Sequence, residues 1–182
     1  NNPKNLVIST SSLSIQNWNT ATFTIRDGNG WYTTTSNNTS IATVSLNWTI
    51  VTITTKAVWS TTITVRDSTG RQVNLPVTIT AKPLTLDKTS ITIDEKTSGY
   101  INITNGNGWY SVTKNNTNVS VYANGSTGYR VYGEKVWSSI LNIRDSAGRV
   151  VSVSVTVREL PKITSYIHTP TVEDGYVWWF YF

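Results

Sequence analysis

The five residues Gly28-Asn29-Gly30-Trp31-Tyr32 return in the same order as Gly106-Asn107-Gly108-Trp109-Tyr110, a shift of 78 (106 − 28). The same shift carries Val58-Trp59-Ser60 onto Val136-Trp137-Ser138. It also carries Arg66-Asp67-Ser68-Thr69-Gly70-Arg71 onto Arg144-Asp145-Ser146-Ala147-Gly148-Arg149. Sliding residues 6–83 onto residues 84–161 needs no gap and gives 26 identities in 78 positions. A gapless match at one fixed period marks a duplicated structural unit. The 182-residue chain therefore divides into an N-terminal arm (1–5), two modules (6–83 and 84–161) and a C-terminal tail (162–182).

Within each module the hydrophobic period is two, which is the period of a strand with one face buried. Val151-Ser152-Val153-Ser154-Val155-Thr156-Val157 sets four valines against three hydroxyls, and Val73, Leu75, Val77 and Ile79 hold the same phase in the first copy. Ile63-Thr64-Val65 and Leu141-Asn142-Ile143 form the preceding strands, and Phe23 with Ile25 and Ile101 with Ile103 mark an earlier one. Asp-Ser-Thr-Gly and Asp-Ser-Ala-Gly lie between the last two strands of each module. Asp at the first position and Gly at the last suit a type I turn closing a hairpin. Thr, Val and aromatic residues fit pleated surfaces, and no helical period of useful length appears. The reading is all-β, with two tandem sandwiches of roughly seven short strands each.

A domain of this size buries only about 60% of the surface its unfolded chain exposes, and the chain has no Cys to staple it. Large side chains are therefore expected in the core. Trp31/Trp109 and Trp59/Trp137, which recur at equivalent positions, are read as core or semi-core residues. Trp18 and Trp48 occur in the first copy alone, with Lys96 and Ser126 in their places, and are read as exposed.

Ser36-Asn37-Asn38-Thr39-Ser40-Ile41-Ala42-Thr43-Val44-Ser45 resembles the stretch before the middle strands of bacterial immunoglobulin-like domains of group 2. The later Thr61–Ile79 segment resembles that family's closing hairpin. The second copy keeps the hairpin but departs in the first stretch, and tryptophans 59 and 137 replace a small residue and glycine of the family pattern. The resemblance covers residues 6–161 and implies immunoglobulin-like sandwiches in an extracellular or cell-surface bacterial protein. Such modules supply spacing, display or adhesion, and the resemblance identifies no active site.

Catalytic sets are missing. The one His, His168, lies in the tail and reads as a loop histidine beside Pro170; without a second His or any Cys, neither a Ser-His-Asp triad nor a His-based metal site is expected. The acids do not pair as glycoside hydrolysis requires, and no calcium-loop spacing occurs. The glycines of GNGWY lack the lysine and following helix of a phosphate loop and read as a tight turn. A net charge of +5 is spread over isolated basic residues and forms no nucleic-acid-binding stripe. No cofactor is expected, and no apolar run is long enough for a membrane-spanning helix. The Asp-Ser-Thr and Asp-Ser-Ala triplets make Ser68 and Ser146 weak candidates for O-glycosylation, although the turn alone accounts for both. The first residue is Asn, which reads as a processed, secreted chain.

The tail ends in Tyr176-Val177-Trp178-Trp179-Phe180-Tyr181-Phe182. In an extended strand Tyr176, Trp178, Phe180 and Phe182 would face one way, and Val177, Trp179 and Tyr181 the other. Both faces are apolar, so a solitary strand would leave a large patch in water. Three readings stand: an extra strand packed on the second module, a segment docking into a partner, and the front part of a longer protein. The leading expectation is a non-enzymatic spacer whose tail, through Tyr176, Trp178, Trp179, Phe180, Tyr181 and Phe182, docks into a protein partner, with an outer-membrane assembly as one candidate. The alternative is a glycan-binding adhesin that stacks sugars on Trp18, Trp48 or the tail aromatics.

Overall fold

A computed structural model describes residues 2–161, and over that span the chain folds into two all-β sandwiches. The first contains β1 (Val7–Ile8), β2 (Leu13–Gln16), β3 (Thr20–Asp27), β4 (Thr33–Ser36), β5 (Ala42–Asn47), β6 (Ile50–Thr55), β7 (Ser60–Arg66) and β8 (Gln72–Thr80). The second repeats the series as β9 (Thr85–Leu86), β10 (Ser90–Asp94), β11 (Ser98–Asn105), β12 (Ser111–Lys114), β13 (Val119–Ala123), β14 (Gly128–Gly133), β15 (Trp137–Arg144) and β16 (Val150–Arg158). The first module's sheets run β1-β3-β6-β5 and β2-β8-β7-β4, and the second module's run β9-β11-β14-β13 and β10-β16-β15-β12.

Each module has eight strands where the sequence predicts about seven, because the opening strand is split between the two sheets. Val7–Ile8 pairs antiparallel with β3, and after Ser9-Thr10-Ser11-Ser12 the chain crosses over so that Leu13–Gln16 runs parallel to β8. A polar four-residue stretch has no alternating apolar face to hold it on either sheet, so the crossing falls there. The orders β1-β3-β6-β5 and β8-β7-β4 match the ABED and CFG sheets of an immunoglobulin-type sandwich.

The expected alternation is present. Leu75, Val77 and Ile79 of β8 and Val153, Val155 and Val157 of β16 are all buried, while their neighbours point outward. They meet Phe23, Ile25, Val51 and Ile53 in the first module, and Ile101, Ile103, Val119 and Val131 in the second. The two cores share no residue; one runs from Leu6 to Ile79 and the other from Leu84 to Val157. The closing hairpin is the predicted type I turn: Gly70 N–H donates to Asp67 O at 3.1 Å, and Asp67 N–H to Arg71 O at 3.0 Å.

The tryptophans overturn one expectation. Trp31, Trp109, Trp59 and Trp137 are not core residues; they are 90%, 87%, 72% and 76% exposed. β-Branched and Leu side chains from the facing sheets already fill the interior, and the four indoles sit at or beside loops that open at the sandwich ends. In each GNGWY motif the tyrosine turns inward instead, Tyr32 and Tyr110 packing against their cores. Among the described residues no helix is long and apolar enough to cross a membrane.

Candidate functional site

The repeated Gly-Asn-Gly-Trp-Tyr motif builds the loop between β3 and β4, and between β11 and β12. The first glycine lies under the tyrosine ring: a Cβ at Gly106 would come within 2.7 Å of Tyr110 Oη, and one at Gly28 within 2.9 Å of Tyr32 Cε1. Only glycine admits the tyrosine this close. The third residue, Gly30 or Gly108, has φ of +74° or +76°, a region glycine enters without penalty.

The middle residue of the motif is the structural hub. Asn107 has no exposed surface. Its Nδ2 donates to Lys82 O at 2.9 Å and to Asp145 Oδ2 at 2.6 Å, and its Oδ1 accepts from Lys82 N–H at 2.9 Å. A single side chain thereby ties residues 81–84, the entire connection between the modules, to the turn of the second module's closing hairpin. Asn29 repeats this at the start of the first module: Nδ2 donates to Lys4 O at 2.8 Å and to Asp67 Oδ2 at 2.6 Å, and Oδ1 accepts from Lys4 N–H at 2.9 Å. Burial pushes the Asp67 carboxyl up, but hydrogen bonds from Asn29, Thr69 and Arg71 outweigh it and hold the pKa at about 2. Asp67 and Asp145 are thus turn caps.

At the junction Trp18, from the β2–β3 loop of the first module, reaches the motif of the second. Its Nε1–H donates to Asn107 O at 3.3 Å, and its ring lies 3.9–4.0 Å from where a Cβ on Gly108 would stand. Trp18, Lys56, Trp59, Trp109 and Ser146 line a cleft of about 410 Å³ there. Trp48, in the β5–β6 turn, is at the opposite end of the first module, where Gly30, Trp31, Tyr32, Leu46, Trp48 and Thr49 line a second cleft of about 480 Å³. The two candidate sugar-stacking residues therefore do not share a site. Trp18 is 52% exposed and Trp48 89%, as the sequence predicts for both.

Four of these indoles stand on strained backbone. Trp18, Trp31, Trp48 and Trp109 have φ of 59°, 47°, 56° and 49°, in the left-handed region that costs an L-residue about 1–2 kcal/mol. For a bulky side chain such a conformation is an outlier. Lys96, the equivalent of Trp18 in the second module, has φ of 61°, so at that place the left-handed backbone belongs to the turn and not to the indole.

Indole faces stack on other aromatic rings, on cations or on the C–H face of a sugar. Among the described residues no group of three or more His, Cys, Asp or Glu side chains could hold a metal ion. Ser68 Oγ donates to Asn29 O at 2.7 Å and Ser146 Oγ to Asn107 O at 2.6 Å, so both candidate glycosylation hydroxyls bridge the β3–β4 type loop to the closing hairpin. His168 and the partner-binding candidates Tyr176, Trp178, Trp179, Phe180, Tyr181 and Phe182 lie outside the described residues. Sequence reasoning missed the asparagine clamp. Its signal was available: Lys4 and Lys82 stand 78 residues apart, like the two asparagines that hold them.

No protein-family model matches the chain, and no curated protein matches it. Solved structures do resemble it. Domains 5–6 of the S-layer protein SbsC are 23% identical over 86% of this chain and 98% of that one, with a TM-score of 0.38. The C-terminal 282-residue fragment of intimin, solved with the intimin-binding domain of the translocated intimin receptor, is 16% identical over 87% of this chain and 64% of that one (TM-score 0.37). The human desmocollin-1 ectodomain is 14% identical over 90% of this chain and 38% of that one (TM-score 0.36). At these scores the likeness assigns no family, ligand or partner to this chain.

Proposed function

We propose that the chain is a non-catalytic spacer displayed at a bacterial cell surface, with its modules held end to end and its aromatic tail docking into a partner protein. The observation that carries the spacer reading is the junction. A connection of residues 81–84 is clamped at Lys82 by a fully buried asparagine and covered by Trp18 from the preceding module. Independent beads on a flexible linker need no such contact; a rod does. The surface location is supported by the residue-level resemblance to bacterial immunoglobulin-like domains. The docking role is supported by the two-faced apolarity of residues 176–182, which a lone strand could not keep in water.

Deleting residues 172–182 tests the docking role. Both modules are expected to stay folded while co-purification of the partner is lost. Unfolding of the second module on deletion would make the tail part of its core and end the docking reading.

A second reading, a glycan-binding adhesin, is favoured by one observation: Trp31 and Trp48 line one cleft on strained backbone with no packing reason to be there. Screening the intact chain and its Trp48→Ala variant on a glycan array tests it. Binding lost in the variant supports this reading, and no binding by the intact chain removes it.

A further inference from the structure

Asn-Gly pairs stand at 29–30, 105–106, 107–108 and 124–125, and the fold treats them differently. The carboxamides of Asn29 and Asn107 are taken up by the clamps at Lys4 and Lys82, and Asn107 has no exposed surface. Asn105, the last residue of β11, is exposed. Its Oδ1 accepts from the N–H of Gly106 at 3.0 Å. Among the described residues, no other of these asparagines makes this contact with its own following glycine. The contact holds the Gly106 nitrogen against the Asn105 carboxamide, and glycine adds no side chain of its own to shield that nitrogen.

The first module shows what the position accepts. The equivalent of Asn105 is Asp27, whose Oδ1 accepts from Gly28 N–H at 2.9 Å in the same arrangement. Asp27 Oδ1 also lies 3.6 Å from Lys4 Nζ. Lys82 is the equivalent of Lys4, and it lines one cleft with Asn105 and Trp18. The second copy thus holds a neutral amide where the first holds an ion-paired carboxylate.

We propose that Asn105 is a self-modification site, which deamidates through Gly106 and so gives the second module the carboxylate that Asp27 gives the first. The Gly106 nitrogen loses its proton to water and attacks Asn105 Cγ, forming a new N–C bond. The carboxamide nitrogen leaves as ammonia, and a cyclic succinimide remains. Water then opens the ring. Breaking the new N–Cγ bond gives aspartate, and breaking the original bond from Gly106 N to the Asn105 main-chain carbonyl gives isoaspartate. One water enters and one ammonia leaves, with no oxidant or reductant. Either product puts a negative charge opposite Lys82. An exposed ion pair there adds little stability, but it changes the charge of the cleft that seats Trp18.

The test ages the intact chain at mildly alkaline pH, folded and in urea, and follows the tryptic peptide 97–114 by mass spectrometry with fragmentation. In the folded chain Asn105 is expected to gain the mass that replacing NH2 by OH brings, while Asn107 keeps its amide; in urea both are expected to convert. A folded chain in which Asn105 stays an amide overturns the inference. So does equal conversion of Asn105 and Asn107 in the folded chain, since the fold would then select neither. Asn105→Asp, which copies the residue at 27, tests the pairing. The Lys82 Hε resonances should move as the introduced carboxyl titrates, as those of Lys4 move with Asp27, and unmoved Lys82 resonances would overturn the pairing with Lys82.

Discussion

Replacing Asn107 with alanine strips three side-chain hydrogen bonds from a fully buried position: two to the Lys82 backbone at 2.9 Å and one to Asp145 Oδ2 at 2.6 Å. A neutral bond contributes about 0.5–1.5 kcal/mol net, and one to a carboxylate about 1.5–3. The Lys82 groups lie near the surface and can turn to water, so the lower part of that range applies to them. The expected cost is about 3 kcal/mol in the stability of the second module. Urea unfolding followed separately in the two modules by NMR would read this as a lower midpoint for the second module with an unchanged slope, while the first keeps its own midpoint. The two modules should also lose their common orientation, because the connection at Lys82 is no longer tied to the closing hairpin. A change below about 1 kcal/mol with orientation preserved would refute the clamp, and with it the physical basis of a rigid junction.

Four other outcomes follow from the same structure. Asp67 should titrate near 2 by side-chain NMR, against an ordinary value of 3.8. Since the folded pKa is the lower one, its stabilisation is complete above 3.8 and fades as pH falls through about 2; Asp67→Asn should remove that part of the acid limb, and a midpoint near 3.8 would contradict the hydrogen-bond cap. Trp31→Gly should leave thermal stability unchanged or raise it by up to about 1 kcal/mol, because glycine relieves left-handed strain that exceeds its own entropic cost; a loss of about 3–5 kcal/mol would mean that Trp31 is core after all. Leu141→Ala, at a position with no exposed surface, should cost about 2–5 kcal/mol by denaturant unfolding. Thr61 Oγ1 is buried without a hydrogen-bond partner, so Thr61→Val should stabilise the first module by about 1 kcal/mol in the same assay, and destabilisation would show the hydroxyl to be satisfied.

The strands were legible because period-two alternation is a direct consequence of one face being buried. Val151 to Val157 displays it with no ambiguity, and the closing turn declares itself through Asp and Gly at fixed offsets. The split of the opening strand was not legible, since Ser9–Ser12 carries no apolar phase for a reader to lose. The misplacement of Trp31, Trp59, Trp109 and Trp137 has a different cause. Side-chain size argues for burial, but recurrence at equivalent repeat positions marks only equal environments, and here the shared environment is an exposed loop at a sandwich end. Trp18 and Trp48 were rightly read as exposed because their counterparts Lys96 and Ser126 could not be core residues. Asn29 and Asn107 went unrecognised because an amide acts through geometry: its two backbone bonds to Lys4 or Lys82 exist only once the loop has folded.

A rod formed by the two modules through the Trp18–Asn107 junction is tested by residual dipolar couplings measured on both modules of the intact chain. A single alignment tensor is expected to fit the couplings of residues 6–83 and 84–161 together, and Trp18→Ser is expected to split it in two. Two unrelated tensors in the unaltered chain would contradict it.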